Sequence, residues 1–161
     1  MFTEYLTPSG KTKPLSAEVA RVRNSILGAF RETVSAVFNT QEYTSDIEKF
    51  GDGDVWEDPE NIISDRRSDC ETSAFLAAKI LNGLPDGLRP QEVRVTVGKF
   101  ITQSSFPPSL SNYHAWVEAK IDNEWWTGDT TNGWTFKSDG SSYKRMYAIT
   151  PDKTIPIGEV K

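Results

Sequence analysis

The chain has one cysteine and one histidine, and each sits in a local context that nucleophilic chemistry requires. Cys70 lies in Ser68-Asp69-Cys70-Glu71 at the start of a helical pattern, and His114 lies in Tyr113-His114-Ala115-Trp116-Val117-Glu118 within a strand pattern. Asp129 falls on the strand pattern that follows. A thiol, an imidazole and a carboxylate are the nucleophile, general base and orienting group of covalent acyl transfer. Each residue alone has a plainer reading, because a lone cysteine is ordinarily a small buried hydrophobe and a lone histidine a packing or surface residue. The three gain meaning only where a fold gathers them.

Local counting brings them together. Ser68 and Glu71 match an S-x-x-E capping box, which predicts Ser68 at the N-cap and Cys70 at the second helical position. There a thiol faces the positive end of the helix dipole and unpaired backbone N–H groups. Both favour thiolate over a thiol whose free pKa is about 8.5, and the N–H groups offer donors to an oxyanion. On the other side, a two-residue hairpin turn at Asp122-Asn123 pairs Trp116 with Asp129 and Thr131 with His114, so His114, Trp116 and Asp129 share one sheet face. His114 and Asp129 then become diagonal neighbours at roughly 7 to 8 Å between backbones. The same parity puts Trp125 on the His114 face and Trp126 on the other.

The elements that must hold these residues are legible as an α+β pattern. Residues 1–15, with Pro8, Gly10 and Pro14, read as an extended lead-in. Ser16 is predicted to cap a leading helix over 16–38, whose Val19, Val22, Ile26, Phe30, Val34 and Val37 form one apolar stripe. That stripe predicts core packing, with a partner-docking face as the sharper alternative. From Asn39 to Arg67 the pattern fades into a solvated acidic loop. Its Gly51-Asp52-Gly53-Asp54 stretch lacks the ligand spacing and closing glutamate of a calcium loop. A buried helix follows from the Cys70 motif to Leu81 and is predicted to end with Gly83 in the left-handed conformation. Val93 to Val97 alternates as a strand, Gln103 to Asn112 is a Ser/Pro-rich loop, and further strands are predicted over 113–121, 124–131 and 143–149. The order, helices first and an antiparallel run after, predicts a single α+β domain over 1–161 with its reactive core in 56–150.

Composition narrows the class of function. At 161 residues the chain suits one core rather than two. A net charge of −5 and pI near 5.0 disfavour a nucleic-acid partner, which needs a basic face. One cysteine excludes an intrachain disulfide and a thiolate metal cluster. The N-terminus lacks the basic and apolar pattern of a leader and no run spans a bilayer, so the expectation is a cytoplasmic chain without a membrane partner.

Three motifs carry a resemblance. Ser68-Asp69-Cys70-Glu71-Thr72, His114-Ala115-Trp116-Val117-Glu118 and Trp125-Trp126-Thr127-Gly128-Asp129-Thr130-Thr131 are similar to Gly-Asp-Cys-Glu-Asp, His-Ala-Trp-Val-Glu and Trp-x-x-x-Asp-Pro-Thr of the transglutaminase-like superfamily of papain-like thiol enzymes. The likeness covers about Trp56 to Thr131. Ser68, Thr72 and Thr130 depart from the pattern without removing a reacting group. Val55-Trp56-Glu57-Asp58-Pro59-Glu60 also resembles the approach segment of bacterial transglutaminase-like cysteine peptidases. The resemblance implies a papain-like core, with Cys70 on a helix N-terminus packed on an antiparallel sheet that carries His114 and Asp129. It implies Cys70 as nucleophile, His114 as base and Asp129 as orienter, acting on a protein or peptide amide by hydrolysis or amine transfer, with no metal or organic cofactor. It further implies an indole N–H from Trp56 near the oxyanion, although a ring packed beside the helix is the commoner use. Tyr113, Trp116 and Trp125 are candidates to line the cleft. A binding or assembly module that keeps the fold without the chemistry is the alternative.

Overall fold

The structure, a computed structural model, describes residues 14–51, 55, 57–100, 113–138, 143–150 and 154–156. In chain order the elements are α1 (Pro14–Thr40), β1 (Glu42–Tyr43), α2 (Asp46–Phe50), α3 (Pro59–Asp65), β2 (Arg67–Ser68) and α4 (Cys70–Asn82). The strands β3 (Glu92–Phe100), β4 (Tyr113–Ile121), β5 (Glu124–Asp129), β6 (Trp134–Lys137), β7 (Tyr143–Ile149) and β8 (Thr154–Pro156) complete it. The six strands form one antiparallel sheet in the order β6-β5-β4-β3-β7-β8. One face of that sheet carries Val93, Val95, Val97, Ala115, Val117, Ala119 and Ile121, and it packs on Phe30, Val34 and Val37 of α1 and Ala74, Ala77 and Leu81 of α4. This two-layer arrangement is the predicted α+β class.

Several local expectations change. The leading helix runs from Pro14 rather than from a Ser16 cap, because proline's fixed φ suits the first helical position. Residues 14–15 therefore belong to the helix, and 1–13 lie outside the described residues. The supposed loop over 39–67 contains α2, α3 and the short parallel pair β1–β2, which joins Glu42 to Arg67 and Tyr43 to Ser68. An S-x-x-E capping box does occur, but at Ser45–Glu48: Ser45 N–H donates to Glu48 Oε2 at 3.2 Å and Glu48 N–H to Ser45 Oγ at 3.4 Å. Gly83 ends α4 with φ −86, a right-handed and not a left-handed cap. Strands β6 and β8 join those expected. Among the described residues no helix is long and apolar enough to cross a membrane.

The second sheet face is a polar and aromatic layer rather than a solvated one. Arg94, Thr96 and Gly98 of β3 pair with Glu118, Trp116 and His114 of β4. Trp116 is fully buried, with its ring edge-on to Tyr143 at 4.9 Å, and Tyr143 lies 5.2 Å from Phe136. Gly98 sits at a bulge in the β3–β7 pairing. A Cβ there would overlap the Lys144 carbonyl and come within 2.9 Å of Trp116 Cη2. Gly98→Ala is therefore expected to cost about 3 kcal/mol or more, because the obstacle is backbone that cannot rotate away. Urea unfolding of the variant checks this as a lowered midpoint at unchanged slope.

Candidate active site

The turn between β4 and β5 has two residues, Asp122 (φ 53) and Asn123 (φ 62), both left-handed as a type I′ hairpin demands. Asp and Asn tolerate that region better than most side chains. The register runs from Ile121↔Glu124 to Val117↔Gly128, as the parity argument requires. His114 and Asp129 meet: Nε2 and Oδ2 are 2.7 Å apart. Nδ1 is thereby the ring nitrogen that can act as base toward a thiol. The imidazole is 14% exposed while the carboxylate is completely buried, so the pair opens to solvent only on the histidine side.

Asp129 is held by five donors. Oδ2 accepts from His114 Nε2, from the Tyr143 hydroxyl at 2.6 Å and from Asn132 Nδ2 at 2.9 Å. Oδ1 accepts the backbone N–H groups of Thr131 at 2.9 Å and Asn132 at 3.1 Å. Burial pulls its pKa upward, but the hydrogen bonds and the His114 charge outweigh burial and hold it below the usual carboxylate value. Its stabilising contribution is thus present above the ordinary carboxylate range and is lost as pH falls through it. The Asp-x-x-Asn-Gly turn after β5 is a local signal for part of this cradle. Tyr143 comes from β7, two strands beyond β4, and has none.

Cys70 departs from its predicted surroundings. The N-cap of α4 is Asp69, not Ser68: Asp69 Oδ1 accepts the Thr72 N–H at 2.9 Å, and Cys70 is the first helical residue. Ser68 is fixed in extended backbone by β2, and its hydroxyl bonds Gln41 Oε1 at 3.2 Å. Glu71 therefore does not close a capping box, and its Oε2 lies 3.2 Å from Cys70 Sγ, accepting from the thiol. Burial, then the Glu71 carboxylate, push the thiol pKa up, against a hydrogen bond from the Ala115 backbone. That direction is opposite to the helix-dipole expectation: desolvation and the carboxylates of Glu71 and Asp69 favour the thiol over the thiolate. Glu71→Gln is expected to raise the rate of Cys70 alkylation at neutral pH about tenfold, measured by intact mass. Asp69 is itself raised to about 6 by burial, the Thr72 N–H opposing this and Glu71 adding to it. Being raised, it costs stability as pH climbs from about 4 to about 6.

The Ala115 N–H that reaches the thiol belongs to the residue after His114, which ties the start of α4 to the start of β4. Ser73 Oγ and Thr130 Oγ1, 2.7 Å apart, tie α4 to the end of β5. Beside Cys70 opens a cleft of ≈ 480 Å³, bordered by Tyr43, Asp46, Ile47, Asp69, Glu71 and Tyr113 among others. Tyr113 borders this cleft. Trp116 does not: it is completely buried, its indole N–H donating to Glu118 Oε1 at 3.1 Å. Trp125 stacks under Arg94, 3.7 Å from the guanidinium carbon to the ring centre, and does not border the cleft. Trp56 lies outside the described residues. Tyr43, Asp46 and Ile47 come from the stretch whose sequence reads as a loop, and nothing in their local spacing signals a place at the cleft. Among the described residues no group of three or more His, Cys, Asp or Glu side chains is gathered to hold a metal ion.

No family model matches the sequence, and no curated protein matches it. Solved structures do. LapG of Legionella pneumophila is similar in its calcium-bound form with a TM-score of 0.63 and 19% identity, over 88% of this chain and 77% of that one. The EGTA-treated form gives a TM-score of 0.62 and 18% identity, over 88% and 75%. A likeness at this identity is a likeness of fold, and the α+β fold of this chain is similar to that of LapG.

Proposed function

We propose that the protein is a thiol hydrolase that cleaves a peptide or isopeptide amide through an acyl-enzyme on Cys70. The observation that carries this reading is the His114–Asp129 contact of 2.7 Å, made by a buried carboxylate to the histidine of β4, the strand that packs on α4. A charged carboxylate kept out of water is costly unless it serves a partner. In the proposed reaction Sγ attacks the carbonyl carbon while its proton passes to His114 Nδ1, and Asp129 stabilises the imidazolium. Backbone N–H groups at the start of α4 receive the oxyanion. The C–N bond then breaks, the amine leaving with the proton from His114. Water, deprotonated by the same nitrogen, attacks the thioester and releases the acid and the thiol. An amine in place of water gives transfer. Hydrolysis leads because water is the default acceptor.

A binding module that retains the fold has one observation in its favour: burial and the Glu71 carboxylate 3.2 Å from Sγ push the thiol pKa up and not down. A peptide library incubated with wild type and Cys70→Ala, read by mass spectrometry in the presence of a primary amine, separates the readings. Cleaved or amine-bearing peptides that disappear with Cys70→Ala support acyl transfer. Peptides retained intact and equally by both proteins support binding.

A further inference from the structure

Tyr143 is only 4% exposed, and its hydroxyl donates to Asp129 Oδ2 at 2.6 Å. A buried phenol needs a partner, and many core tyrosines do no more than find one. The choice of partner is what separates this one. Asp129 offers two oxygens, and Oδ1 is occupied by the backbone of its own turn. Tyr143 instead bonds the oxygen that holds His114 Nε2. Its ring is clamped between Trp116 at 4.9 Å and Phe136 at 5.2 Å, with the His114 ring 6.4 Å away, so the hydroxyl has little freedom to turn elsewhere.

We propose that Tyr143 is a positioning residue of this site, its hydroxyl fixing Asp129 Oδ2 so that His114 is held through Nε2 and presents Nδ1 to Cys70. This rests on the acyl-transfer reading above. Charge on Oδ2 is shared among Tyr143, Asn132 and His114, which keeps the carboxylate ionised and the proton on the imidazole. Loss of the phenol donor makes Asp129 easier to protonate and loosens the ring it orients. The effect falls on the acid side of the site's pH dependence. The titratable groups around the cluster and its cleft are His114 and Tyr113 on β4, Cys70 and Glu71 on α4 with Asp69 at its cap, Asp46 on α2, Tyr43 on β1 and Tyr147 on β7. All of them remain when Tyr143 alone is changed, so comparison of two proteins isolates its contribution.

The test is the rate of Cys70 alkylation by iodoacetamide from about pH 4 to about pH 9, read by intact mass in wild type, Tyr143→Phe and His114→Ala. The single cysteine makes the mass shift unambiguous. Tyr143→Phe keeps the ring and its contacts and removes only the donor. The acid limb is expected to move up by about one pH unit, a loss of about tenfold near pH 5, with rates near pH 8 within about twofold of wild type. Incorporation of 3-fluorotyrosine at Tyr143, a stronger donor of the same shape, is expected to move the limb the other way. It carries the test if Tyr143→Phe fails to fold. A limb that either change leaves in place overturns the proposal and makes Tyr143 a packing residue. Coincident wild-type and His114→Ala curves are a different failure, overturning the acyl-transfer reading itself.

Discussion

Replacing His114 with alanine is expected to lower amide turnover by on the order of 10⁴-fold to 10⁶-fold, with the fold intact. The size of the loss follows from how little else is available to take the proton. The thiol is pushed toward its protonated form by burial and Glu71, so attack requires a base at the moment of bond formation. The chain has one histidine, and it is the one bonded to Asp129. Deleting the base from a unit that acts together costs nearly as much as deleting the unit. The imidazole is partly exposed and lies on the sheet face opposite the main core, so alanine leaves that core unchanged. Turnover of a peptide found by the library screen, with circular dichroism as the control, checks both halves. A loss below about tenfold would remove His114 from the reaction.

The second large effect is on stability. Glu118 is completely buried between two arginines: Oε2 accepts from Arg94 Nε at 2.8 Å and pairs with its Nη2 at 2.6 Å, and Oε1 accepts from Arg145 Nε at 2.8 Å and the Trp116 indole. Glu118→Gln is isosteric, but it takes the counter-charge from an arginine whose side chain is 7% exposed. Breaking one member of such a group costs about 3 to 5 kcal/mol, since a buried charge is left without compensation. Chemical denaturation should show that loss, and alkylation of Cys70 should slow with it, because Trp116 packs 6.2 Å from the His114 ring. A change under about 1 kcal/mol would mean that the network is solvated.

The parts of the site that depend on short-range counting were legible in the chain. Hairpin parity at Asp122-Asn123 predicts that His114 and Asp129 share a face, and the register agrees. Helix α4 and the strand identities follow from apolar period. What could not be read locally was set by distant partners. Ser68 is a good N-cap by type, yet pairing of β2 with β1 holds it extended and passes the cap to Asp69. Trp116 has the look of a cleft aromatic, but Glu118 two residues on and Tyr143 from β7 bury it. Tyr143 reaches Asp129 only because the sheet order places β7 beside β3. The thiol's protonation depends on which rotamer Glu71 adopts once its capping role is gone, and no spacing rule carries that.

Alkylation of Cys70 by iodoacetamide at neutral pH tests most directly whether Cys70 and His114 act as one unit. Wild type is expected to label through a histidine-assisted step that is already efficient near pH 7, well below the free thiol value of about 8.5. His114→Ala is expected to fall by about a hundredfold at that pH and to recover only in alkali. Equal rates in the two proteins, both rising only above about pH 8.5, would contradict the account and leave Cys70 an unassisted core thiol.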